Sequence, residues 1–191
     1  MPDAVDTLLR EIVETEGGFV DHPDDRGGPT KHGISLRYAR NAGLHLDGDG
    51  ATTVDDIKAV TPDKAAELYQ RDFYAEPGID RLPGALQPLA TDFAVNSGPP
   101  RAVKELQDTL ERSRQTAPRV LGDAPVAVDG VIGPQTVGAA GRVHDAMGGY
   151  LVNAYANARL DFLNRLVERD PSQRVFLDGW QKRVAKFKVE V

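Results

Sequence analysis

The sequence contains no cysteine, which removes disulfides, thiolate metal sites and thiol nucleophiles together. It has no apolar run approaching the roughly 20 residues that a membrane-spanning helix requires. Its opening, Met1 to Arg10, is acidic and has no basic stretch leading into an apolar one, so a secretory signal is not expected there. Positive charge is not in excess: a net charge of −6 argues against the basic footprint that nucleic-acid binding needs. Repeats, heptad arrays and low-complexity tracts are missing. The four histidines, His22, His32, His45 and His144, have no zinc spacing. No cofactor and no nucleic-acid partner are therefore expected.

What is present is the composition of an ordinary globular protein, 40% hydrophobic and 27% charged over 191 residues. That is enough for one good core or for two small lobes sharing a cleft. Charge is spread unevenly. Residues 159–191 hold eight basic against five acidic groups, while residues 1–60 hold six against twelve.

Hydrophobic periodicity predicts a mainly α protein. Val5, Leu8, Leu9, Ile12 and Val13 make one apolar stripe on a first helix, with Asp3 as its N-cap. Gly17-Gly18 stops this helix, so Glu16 is its last side chain. Residues 19–33, rich in Asp, Gly and Pro, read as an irregular β-hairpin or loop. Ser35 caps a short helix to Ala42, ended by Gly43, and a polar loop, 45–53, follows. Thr61-Pro62 opens another helix, with Ala65, Ala66, Leu68, Tyr69 and Phe73 toward the core. Residues 77–83 look like a linker. Further helices are expected over 86–96, 101–112, 134–144, 150–167 and 172–187.

The run from Glu16 to Ile34 carries the chemistry. A carboxyl group at a helix C-terminus faces the negative end of the helix dipole, and partial burial there would also favour the protonated acid. A general acid working near neutral pH requires that form. Asp25 follows nine residues later, and Thr30 five beyond it, with a hydroxyl able to orient water. Two carboxyl groups flanking a scissile bond are what glycoside hydrolysis needs. As the second group Asp25 competes with Asp21, Asp24 and Asp92. The blander reading of Glu16 is a solvated carboxylate near a helix end.

The stretch Glu16-Gly-Gly-Phe-Val20, then Asp25-Arg-Gly-Gly-Pro-Thr30 and Gly33-Ile-Ser35, resembles the N-terminal signature of glycoside hydrolase family 108, N-acetylmuramidases found as phage endolysins and in some bacterial secretion loci. Arg26, Lys31-His32 and His22 depart from its commoner residues. The resemblance continues through Thr91-Asp92-Phe93-Ala94-Val95-Asn96-Ser97-Gly98-Pro99, Val128-Asp129-Gly130-Val131-Ile132-Gly133-Pro134 and Gly179-Trp180.

The resemblance implies a lysozyme-like, mainly α fold with a small β-hairpin after the first helix. It also implies a catalytic lobe over 1–96 and a helical peptidoglycan-binding region over 97–191. The implied activity is hydrolysis of the β-1,4 bond between N-acetylmuramic acid and N-acetylglucosamine, with Glu16 catalytic. Asp25 and Thr30 resemble the other members of the Glu/Asp/Thr triad of phage lysozymes, although four residues rather than five separate them here. Lytic transglycosylase and a non-catalytic wall-binding module are the rival readings. Peptidoglycan is the expected partner of a monomer made in the cytoplasm, which acts at the wall after passage through a holin-type pore.

Other features have two readings each. Asp47, Asp49 and Asp56 overlay part of a calcium-binding loop or form an Asx-rich turn. Asn96 contacts a substrate acetamido group or caps a helix. Tyr74 is the aromatic best placed to meet a sugar face. The segment 129–134 reads as a structural turn. Phe176, Trp180, Val184 and Phe187 form a stripe ringed by Arg174, Lys182, Arg183, Lys186 and Lys188, suited to weak contact with a membrane or to core packing.

Overall fold

A computed structural model describes residues 4–21, 28–46, 48–122 and 124–191. Asp3, Asp24, Asp25 and Asp47 lie outside the described residues. The chain divides into two compact units, Met1–Arg71 and Asp72–Val191, and the fold is mainly helical with one small hairpin.

In the first unit, helix α1 (Ala4–Glu16) buries Val5, Leu9, Ile12 and Val13. This is the expected stripe, and each such side chain contributes about 1.5–3 kcal/mol by leaving water. Strands β1 (Thr30–Lys31) and β2 (Ile34–Ser35) form the antiparallel hairpin. Ser35 caps α2 (Leu36–Asn41) by accepting from the Tyr38 N–H. Thr61 caps α4 (Pro62–Gln70), which starts with proline and packs against α1.

One helix was not expected. Between them α3 (Val54–Ala59) begins with a full capping box, in which Thr53 accepts from Asp55 N–H and Asp56 accepts from Thr53 N–H. The buried Asp56 carboxylate also accepts from Leu46 N–H at 2.6 Å, and Asp49 accepts from Ala51 N–H at 2.7 Å. These acids thus satisfy backbone donors, as an Asx-rich turn would. Among the described residues no group of three acidic or histidine side chains is placed to hold a metal ion.

The second unit starts within a π-helical turn, Arg71–Ala75. Residues 77–83 are not a linker. They contain a 3₁₀ turn, Ile79–Arg81, and Ile79 and Leu82 are buried in the core, which a solvated linker would have left exposed. Helix α5 (Gln87–Ser97) is buried on nearly every side and packs against α6 (Pro99–Thr116). A short α7 (Pro118–Leu121), not anticipated from periodicity, precedes α8 (Pro134–Met147) and the long α9 (Gly149–Arg169). Phe93 centres the core, with ring centroids 6.0 Å from Tyr155 and 5.6 Å from Phe162.

The single helix expected over 172–187 is instead a 3₁₀ segment, Pro171–Phe176, followed by α10 (Leu177–Ala185). Pro171 and the Asp170 cap set the tight first turns. The apolar stripe there packs inward. Val184 is fully buried, Trp180 and Phe187 lie against the core, and Phe176 remains exposed with its ring 5.9 Å from that of Trp180.

The turn at 129–134 is structural, as read from the sequence. Buried Gln107 donates to Asp129 Oδ1 (2.8 Å), the Val131 carbonyl (3.0 Å) and Thr136 Oγ1 (3.1 Å), and accepts from Gly130 N–H (2.8 Å). A neutral amide with both faces in use is the right group to hold a turn without burying charge.

Candidate active site

Glu16 closes α1, and the last turn of that helix contains no basic side chain to offset the dipole. Gly17, at φ +75°, takes the left-handed conformation that ends the helix. The chain then returns to the same place. Val20 and Thr30 exchange two backbone hydrogen bonds of 2.8 Å, and the His32 N–H donates to the Gly17 carbonyl at 3.0 Å. The tip of the hairpin is therefore fastened to the end of the helix that carries Glu16.

The tip is a two-residue turn, His32 (φ 51°) and Gly33 (φ 77°), between the Lys31–Ile34 pair. Two successive positive φ values are the mark of a type I′ turn, whose twist matches that of the strands it joins. Gly33 is required for a second reason. A Cβ there would collide with the hydroxyl oxygen of Tyr69, and would lie 3.2 Å from Tyr69 Cζ and 3.3 Å from Glu16 Cγ. Three elements thus converge on one glycine: the C-terminus of α1, the hairpin tip and the last turn of α4.

Glu16 itself is exposed, so the partial burial expected from the sequence is not found. Its stem rests against Gly33 while the residue as a whole stays open to solvent. Tyr69 is buried, 5% exposed. Burial first, and the negative charge of Glu16 second, push its phenol up to about 12. The group beside Glu16 is accordingly a neutral hydroxyl, able to donate.

Thr30 is half-buried on the same hairpin and donates its hydroxyl to the Gly28 carbonyl at 3.1 Å. Its oxygen lone pairs can still accept from water. Asp21 is exposed just beyond Val20. Asp25 and Asp24 fall in residues 22–27, outside the described residues.

The remaining candidates belong to the second unit. Asp92 is 1% exposed and held by two guanidinium groups: Arg159 Nη1 lies 2.6 Å from Oδ2, and Arg183 Nη2 lies 2.6 Å from Oδ1. That engagement leaves it no part as a free second carboxylate. Tyr74, in the π-helical turn, donates to Gln87 Oε1 at 2.7 Å. Asn96 is exposed inside α5 and donates to the Asp92 carbonyl one turn back at 2.7 Å. The positive φ that ends α5 belongs to Gly98. Reading the sequence placed Tyr69 in the core and missed its neighbour. The signal was a buried tyrosine, whose hydroxyl must have a partner.

Comparisons with known proteins identify the family. The family model described as "Glycosyl hydrolase 108" matches residues 9–98, and "Predicted Peptidoglycan domain" matches residues 101–185. The packing boundary falls at 71/72, with α5 packing against α6. Among curated proteins nothing matches. A solved structure titled "Structure of Brucella abortus SagA" is similar at 30% identity with a TM-score of 0.67, over 95% of this chain and 90% of that one. The chain that ends α1 on Glu16 and docks a hairpin beside it belongs to the glycosyl hydrolase 108 family, and it is a glycoside hydrolase that acts on peptidoglycan.

Proposed function

We propose that the enzyme is an N-acetylmuramidase, hydrolysing the β-1,4 bond between N-acetylmuramic acid and N-acetylglucosamine with Glu16 as general acid. The observation that carries this reading is the position of Glu16: an open carboxyl group on an unneutralised helix C-terminus, braced by the hairpin tip, in the segment matched to the hydrolase family. In the proposed step Glu16 gives its proton to the glycosidic oxygen as the C–O bond breaks. Asp25 then activates water or stabilises the oxocarbenium-like sugar. Thr30 accepts from that water, since its own proton is committed to Gly28.

Clearance of outer-membrane-stripped cells by wild type and Glu16→Gln tests the assignment. The expected loss is at least ~100-fold, the lower range for removing a general acid, with thermal stability unchanged because the residue is exposed. Undiminished clearance by Glu16→Gln would refute Glu16 as the acid and leave the wall-binding reading. Mass spectrometry of digested wall separates the chemistries: hydrolysis leaves a reducing N-acetylmuramic acid end, and a lytic transglycosylase leaves an anhydro ring.

A further inference from the structure

We infer that the second unit holds the peptide part of peptidoglycan, a stem peptide, in a groove between α6 and α9, where Arg112 receives a carboxylate of the peptide and Asp161 an amine. A stem peptide has no glycosidic bond, so its binding neither needs nor tests the role of Glu16.

The groove has a volume of about 530 Å³, within the range of small-molecule and short-peptide sites. Positions 109, 112, 113 and 116 of α6 line one side, and positions 154, 157, 158 and 161 of α9 line the other. Each set follows the i, i+3, i+4, i+7 spacing of a single helix face, so the groove runs along about two turns of both helices. Its apolar part is built from Ala154 and Ala158 on α9 and Met147 at the end of α8, all half-buried. No aromatic side chain lines it. A sugar ring would find no flat π-face for its C–H groups, whereas the methyl-sized side chains of an alanine-containing peptide match these walls. The whole groove lies within residues 101–185, the segment matched to the predicted peptidoglycan domain.

The polar lining supplies one charge of each sign. Arg112 is paired with Asp108 one turn back, at 2.7 Å, and both side chains are open to solvent. Such a pair contributes little, so the guanidinium can exchange it for a ligand carboxylate that it grips with two hydrogen bonds. Asp161 is exposed, as is Asn157 one turn earlier, and neither side chain has a partner among the described residues. Asn157 offers a donor and an acceptor to a peptide group. A stem peptide with a dibasic residue carries the matching set: carboxylates, a free amine, amide groups and alanine methyls. A polyanion would meet Asp161 as a like charge, and a polycation would meet Arg112.

The test is amide-resolved NMR of the full chain, titrated with the free peptide L-alanyl-γ-D-glutamyl-meso-diaminopimelyl-D-alanine. A parallel titration uses a peptide-free disaccharide of N-acetylglucosamine and N-acetylmuramic acid. We expect saturable shifts from the peptide at 109–117, 147 and 154–161, and none there from the disaccharide. Arg112→Ala and Asp161→Asn should each weaken peptide binding about ten-fold, the loss of one hydrogen bond between charged groups. Both residues are exposed, so both variants should fold as wild type does. A peptide with amidated carboxylates should lose the same factor against wild type and nothing further against Arg112→Ala. No peptide shifts at these positions, equal shifts from the disaccharide, or wild-type affinity in either variant overturns the inference. Loss of activity in Glu16→Gln with peptide binding intact leaves it standing, and so does an active Glu16→Gln.

Discussion

Replacing Asp92 with alanine leaves two guanidinium groups facing the space where one carboxylate balanced both. Arg159 is the costly one: its side chain is 4% exposed, and its Nε already lacks a partner among the described residues. Arg183 is 35% exposed and can turn toward water, so its loss of Asp92 contributes little. Breaking a buried pair by removing one partner costs about 3–5 kcal/mol. The Phe93 ring, 5.0 Å from the Arg159 guanidinium, recovers only about 0.5–2 kcal/mol of attraction, and it is already present in the native state.

Asp92→Ala should therefore destabilise the second unit by about 3–4 kcal/mol. At roughly 3–6 °C per kcal/mol for a unit of this size, its melting temperature falls by about 10–20 °C. Arg183→Ala, which leaves the Asp92–Arg159 pair intact, should cost about 1 kcal/mol. Calorimetry of the full chain measures all three, with the transitions of the two units fitted separately. A loss below about 1 kcal/mol in Asp92→Ala, or an equal loss in Arg183→Ala, would refute the reasoning.

Two further outcomes follow from buried or hydrogen-bonded groups away from Glu16. Gln107→Leu removes three hydrogen bonds to the 129–134 turn and one to Thr136, and deprives the Gly130 N–H of its acceptor. It should cost about 2–4 kcal/mol, with hydrogen exchange at the Gly130 and Val131 amides accelerating well before the rest of α6; protection equal to wild type would contradict the clamp. Glu111 is held down from an ordinary 4.5 to about 2, first by its hydrogen bond from Arg114, then by the Val126 N–H. Because the folded state depresses it, its contribution is present above about 4.5 and disappears as pH falls toward 2. The difference in urea midpoint between wild type and Glu111→Gln should accordingly shrink across that window, and a constant difference would show that the ion pair is not its source.

Much of the molecule was legible in the order of residues, because local rules act locally. The stripe of α1, its stop at Gly17, the Ser35 and Thr61 caps and the proline starts of α4 and α8 are each decided within about one helical turn. So was the candidacy of Glu16, which needs only a helix end. Tertiary structure decided what a side chain meets after the chain returns. Tyr69 reaches Gly33 across more than thirty residues and Asp92 reaches Arg183 across ninety-one, contacts that no periodicity encodes. Residues 77–83 became core because apolar partners distant in sequence surround Ile79 and Leu82. Burial is a property of the assembled neighbours, and that is why the exposure of Glu16 and the neutral phenol beside it could be seen only once α1, the hairpin and α4 had met at one glycine.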